Sequence, residues 1–159
     1  MIRRLAGAAL VLLLAAACTN SDPKPAPTPT STLSARSPAA VENAVAALAE
    51  TLRTDLGATQ PLSDEQPRAQ ACGDEDDGPF NVFVSYQLPL PTAEHRAALQ
   101  RLRDHWTTAG WTTVTYRPFA DTRAELTGVN PDDYGVRILS GNPPTVLALQ
   151  ITTPCYRHE

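Results

Sequence analysis

Lysine is almost absent from this 159-residue chain: Lys24 is the single one, and acidic residues outnumber Lys and Arg by 17 to 13, for a formal net charge of −4. Phosphate backbones are held by clustered Lys and Arg, so the balance argues against nucleic acid as a partner. Anionic lipid headgroups would not draw the chain by charge either. Long apolar runs are lacking apart from Leu5–Ala17. That run falls short of the roughly 20 residues a helix needs to cross a hydrocarbon core. Catalytic signatures are missing too. There is no G-x-S-x-G elbow, no Walker loop, no G-x-G-x-x-G and no H-E-x-x-H. His95 and His105 are ten apart on one predicted helix, so they point to different faces, and His158 sits next to Glu159. A zinc site has no spacing to rest on, and no motif implies a cofactor.

What is present begins at the N-terminus. Arg3 and Arg4 precede the apolar run, the order of a secretory signal over residues 1–17. The run closes as Leu14-Ala15-Ala16-Ala17-Cys18, which resembles the lipobox of bacterial lipoproteins. It departs from that pattern at Ala15, where leucine is usual. The resemblance implies diacylglycerol on Cys18 and anchoring to the extracytoplasmic face of the cell membrane. The alternative is an A-x-A site for an ordinary signal peptidase, which leaves Cys18 a plain thiol. The chain has three cysteines. If Cys18 carries lipid, Cys72 and Cys155 are left to pair in an oxidising compartment.

Residues 18–37 are Pro/Thr/Ser-rich and cannot bury a core; their alternate prolines favour an extended polyproline tether. At about 3.1 Å per residue such a segment reaches roughly 60 Å. Residues 38–159 then read as one domain. Ser37 and Pro38 form a helix start, and Val41, Val45, Leu48, Leu52 and Leu56 recur at helical spacing up to Gly57. Residues 58–79 read as a long irregular connection. From Phe80 to Leu88, apolar Val82, Val84 and Tyr86 alternate with Asn81, Ser85 and Gln87, the pattern of a strand with one buried face. Thr92 is expected to cap a second helix with Leu99, Leu102, Trp106 and Ala109 on one side. Gly110 stops it, and Trp111 is placed to fold back on the last turn. Strands follow at 112–116, 123–130, 134–140 and 145–153, separated by turn signals. The predicted class is α+β: a two-layer sandwich of two helices on a mostly antiparallel sheet of about four to five strands, with one disulfide.

Three groups are candidates for chemistry. The acidic run Asp74-Glu75-Asp76-Asp77 suggests a weak oxygen-ligand metal site at Asp74, Asp76 and Asp77. The EF-hand register fails, however, because it places Gly73 and Val84 where ligands belong, and a solvated surface loop is the better account of the run. Trp106 and Trp111 offer an aromatic platform for a ligand, or else core and helix-capping packing. Cys72 and Cys155 lie 83 positions apart without a C-x-x-C motif, which points to a structural bond. Closing a loop that long is worth about 4.5 kcal/mol in the chain-entropy model.

Signal with cysteine, Pro/Thr tether, α+β domain and a late Thr153-Pro154-Cys155 together resemble the small uncharacterised lipoproteins of actinobacteria. That resemblance implies location and fold style and brings no activity. The sequence therefore favours a membrane-tethered, non-catalytic module that binds an envelope protein or ligand. Its rivals are an envelope hydrolase with a dispersed carboxylate site and a purely structural surface lipoprotein.

Overall fold

A computed structural model describes residues 33–74, 78–119, 121–141 and 145–159. The signal, Cys18 and nearly all of the tether lie outside the described residues, as do Asp76 and Asp77. The elements run β1 (Ala35–Arg36), α1 (Pro38–Asp55), β2 (Arg68–Ala71), β3 (Phe80–Pro89), α2 (Thr92–Thr108), β4 (Thr112–Pro118), β5 (Ala124–Val129), β6 (Gly135–Ser140), β7 (Val146–Thr152) and β8 (Arg157–His158).

Helix α1 starts where Ser37, extended at ψ 139°, accepts the Ala40 amide on its side chain at 3.3 Å. Pro38 follows at the first helical position, where its missing N–H costs nothing. Its buried stripe is Val41, Val45, Ala49 and Leu52, continued by Leu56. Ala49 takes the inward position beside Leu48, which is only partly buried. Gly57, at φ +75°, reverses the chain at the end. Helix α2 begins differently from expectation. Pro91 holds the cap position and Thr92 is already helical, because the Pro91 carbonyl accepts the first bond of the helix, from the Glu94 amide at 2.8 Å.

The principal sheet has six strands in the order β2-β3-β7-β6-β5-β4, every neighbouring pair antiparallel. Strands β4 to β7 form a meander, and β3 joins it beside β7. Helix α2 carries the chain from β3 to β4 at the far edge. Helix α1 packs on β2, β3 and β7, and α2 packs on β4, β5 and β6. Both helices cover one face, so strand residues facing them are buried: Val82, Leu88, Leu126, Ile138, Leu147, Leu149 and Ile151 are 0% exposed.

The expected count of four to five strands is corrected to six. The added strand is β2, inside the stretch read as irregular. Its Arg68-Ala69-Gln70-Ala71 is exposed throughout and has no large apolar residue to reveal an inward face. Ser63 also ties that stretch to β3, accepting the Gln87 amide on its hydroxyl at 2.8 Å. A second, two-stranded parallel sheet pairs β1 with β8. The end of the stretch read from sequence as a tether thus runs beside the end of the chain, where Arg157 donates its amide to the Ser34 carbonyl at 2.9 Å.

Cys72 and Cys155 are bonded, with Cα atoms 6.2 Å apart. The bond joins the end of β2 to the segment after β7, next to a backbone exchange in which Phe80 and Tyr156 each donate to the other's carbonyl. All ten elements, the core and this bond lie within Thr32–Glu159.

Candidate functional site

The sheet face turned away from the helices carries the side chains that the core leaves out. In register across it run Arg68, Phe83, Thr152, Gly135 and Val129. The next row is Ser85, Gln150, Arg137, Thr127 and Thr115. The third is Gln87, Ala148, Leu139, Glu125 and Arg117. No described helix covers this face. Phe83, 40% exposed, is the large hydrophobic residue that stands open on it.

A cavity of about 340 Å³ opens on the first two rows. Its lining comes from five consecutive strands, from Phe83 on β3 to Thr113 on β4. With strands about 4.8 Å apart, it is a groove of roughly 19 Å running across the sheet. Gly135 deepens its middle, since the position has no side chain and a Cβ there would stand 3.1 Å from Thr152 Cγ2. Thr113 borders it at φ +49°, within the irregular register between Thr112 and Thr115. For a β-branched residue that backbone is strained.

Beside the groove lies a charged cluster. Glu125 is 8% exposed although it sits on the open face. Arg137 donates Nε to its Oε1 at 2.7 Å, and Arg117 donates to its Oε2. The hydrogen bond from Arg137, then that from Arg117, hold the Glu125 carboxyl below its usual range, against the opposing effect of desolvation. Both guanidiniums are about half exposed or more, with side-chain exposures of 48% for Arg137 and 64% for Arg117. Arg117 also lies over the Phe119 ring. A buried carboxylate therefore fixes two cations at the surface.

The positions singled out from the sequence fall elsewhere. Trp106 and Trp111 stack with centroids 3.9 Å apart and planes at 3°. Trp106 is 1% exposed, so its ring is part of the core rather than an open platform. Asp74 is exposed, and among the described residues no three His, Cys, Asp or Glu side chains converge as metal ligands. His105 is exposed, whereas His95 is fully buried. His95 Nε2 lies 2.8 Å from the Leu90 carbonyl, which can only accept, so that nitrogen carries a proton. Its Nδ1 meets the Ser140 hydroxyl at 3.0 Å, and that hydroxyl accepts the Ala124 amide. The contact ties α2 to β5 and β6. It lacks the carboxylate that orients a histidine base, and its outer nitrogen is already spent.

Among the described residues Glu125 is the one buried carboxylate. A general acid needs a raised pKa, and this one is lowered. Fold and site together define an α+β helix-on-sheet domain with an open, grooved and arginine-bearing sheet face.

No protein-family profile and no curated protein matches the chain. Among solved structures, the fold is similar to that of the provisionally named lipoprotein LppA from Mycobacterium tuberculosis. The TM-score is 0.52 at 17% identity, over 76% of this chain and 78% of that one. A fainter likeness, with a TM-score of 0.41 at 17% identity, covers 74% of this chain and 62% of a DUF4853 family protein from Actinomyces odontolyticus. The first likeness establishes a shared fold.

Proposed function

We propose that this chain is an exported lipoprotein, anchored through acyl groups on Cys18 to the extracytoplasmic face of a membrane, with a domain that binds rather than catalyses. The observation that carries the reading is the Cys72–Cys155 bond. With two of three cysteines joined, Cys18 alone is left, and it stands at the end of an Arg-led apolar signal. A structural disulfide also fits an oxidising compartment outside the cytoplasm. The small actinobacterial lipoproteins that the sequence resembles, and the name carried by the fold neighbour from Mycobacterium tuberculosis, agree with that place. Binding rather than catalysis is favoured by the open sheet face, which offers a groove and fixed cations.

Fractionation of a lipoprotein-processing bacterial host that expresses the full chain tests the anchor. The expected species sediments with membranes, begins at Cys18, carries acyl mass and has no alkylatable thiol before reduction. Cys18→Ala is expected to lose the acyl mass. A soluble, unacylated wild-type chain with one free thiol would overturn the proposal.

A further inference from the structure

We infer that the groove on the open sheet face is a binding site for a single-chain amphipathic anion, an apolar chain bearing one carboxylate or phosphate. Its apolar part lies along the groove and its head meets Arg137 and Arg117. This rests on the reading of the domain as a binding module and names its ligand class.

Charge is the first argument. The strands contribute Arg68, Arg117 and Arg137 to the open face against Glu125 alone. Three cations and one anion give that face a positive balance, while the whole chain is formally −4. The strand residues of the one sheet face the helices leave open thus carry a local positive balance. Glu125 consumes a single nitrogen on each of its two partners. Arg137 therefore keeps its two Nη groups without a protein partner among the described residues, and it also lines the groove. A guanidinium anchored through Nε presents its Nη edge as a preformed fork for an oxyanion, and such charge-assisted bonds are the strong ones.

Shape is the second. The groove lining is predominantly apolar: Phe83 and Val129 face it from the open side, and Val136 and Ile151, whose side chains belong to the core, border it from beneath. At about 340 Å³ it stands near the lower end of small-molecule sites. A volume that small, drawn out over roughly 19 Å and five strands, suits a thin flexible chain better than a fused ring system. The row holding Arg137 is one side-chain step from the row holding Gly135, a rise of about 7 Å along the strand. Head and chain therefore fall within one small molecule.

The test uses residues 18–159 carrying Cys18→Ser, oxidised at Cys72 and Cys155 and handled without detergent. Two signals report binding. Calorimetry reads it directly. The chain's two tryptophans read it optically, because Gly128, which lines the groove, backs onto the Trp106 and Trp111 rings. Decanoate and decyl phosphate, kept below micelle formation, are expected to bind saturably. Decanol is expected to bind about tenfold more weakly, and acetate or inorganic phosphate alone not to saturate. Arg137→Gln is expected to weaken decanoate about tenfold and leave decanol unchanged. Phe83→Ala, at an exposed position, is expected to weaken both. Circular dichroism and the intact disulfide confirm that each variant is folded, and Arg117→Gln stands in for Arg137→Gln should that variant fail to fold.

Absence of saturable binding by both anions would overturn the inference. So would equal affinity for decanol, or an Arg137→Gln protein that binds decanoate as wild type. Binding confined to vesicles containing phosphatidylglycerol would replace the small molecule with a lipid surface and overturn it as well. None of these results touches the acylation of Cys18, which the fractionation measures separately.

Discussion

Trp111 donates its backbone N–H to the Trp106 carbonyl at 3.2 Å and lays its ring flat against that of Trp106, 3.9 Å away. The bond is the six-residue closure of a Schellman end, made possible by Gly110 at φ +81°. The ring contact is its hydrophobic complement, enlarged to a tryptophan pair that also fills the space over β5.

Gly128 on β5 admits that pair. A Cβ at this position would stand 2.9 Å from Trp106 Cε3 and 3.2 Å from Trp111 Cε3. Gly128→Ala is therefore expected to destabilise the domain by about 1–3 kcal/mol, the usual range for overpacking. Denaturant titration followed by tryptophan fluorescence would measure it. A variant of wild-type stability would mean that the rings shift aside at no cost.

The Glu125 cluster sets a dependence on acid. A carboxyl held below its ordinary 4.5 by Arg137 and Arg117 is bound more tightly as the anion in the folded state. Its stabilisation is complete above the ordinary value and is lost as pH falls through the folded-state value. Thermal unfolding scanned downward from pH 6 is expected to show this loss, and Glu125→Gln is expected to flatten the curve while lowering stability near neutrality. An unchanged slope in the variant would place the acid sensitivity elsewhere.

Tyr156 sets the alkaline limit. Desolvation foremost, with Tyr134 adding to it, pushes its hydroxyl from 10.0 up to about 12. The folded state therefore favours the neutral phenol. That contribution is full below pH 10 and is lost as the phenol ionises toward pH 12. Tyr156→Phe is expected to unfold less steeply over that interval in alkaline titrations. Equal slopes for the two proteins would assign the alkaline step to another group.

Elements that repeat a local pattern were legible before the structure. Helix α1 announced itself through Ser37, Pro38 and a stripe at helical spacing, and β3 through alternation from Phe80 to Leu88. The fold-back of Trp111 followed from Gly110 alone. Elements made by distant partners were not legible. β2 is four exposed residues whose strand character comes entirely from pairing with β3, and β1 and β8 have two residues each. The open face was hidden for a related reason. Asn81, Ser85 and Gln87 read as ordinary solvent positions, and the concentration of arginine appears only once the strand order sets Arg117, Glu125 and Arg137 side by side. The one available signal was Phe83, a large apolar side chain in the polar phase of β3.

The pairing of β1 with β8 has a mechanical consequence. A pull on the chain N-terminal to Leu33 reaches the hydrogen bonds from Arg157 to Ser34 and to Leu33 before it reaches the core. β8 lies just past Cys155, so whatever load those bonds transmit passes next into a covalent link to Cys72. Force entering there is shared between two stretches of sequence far apart in the chain. This corner can yield by unzipping a two-residue ladder while the six-stranded sheet stays intact.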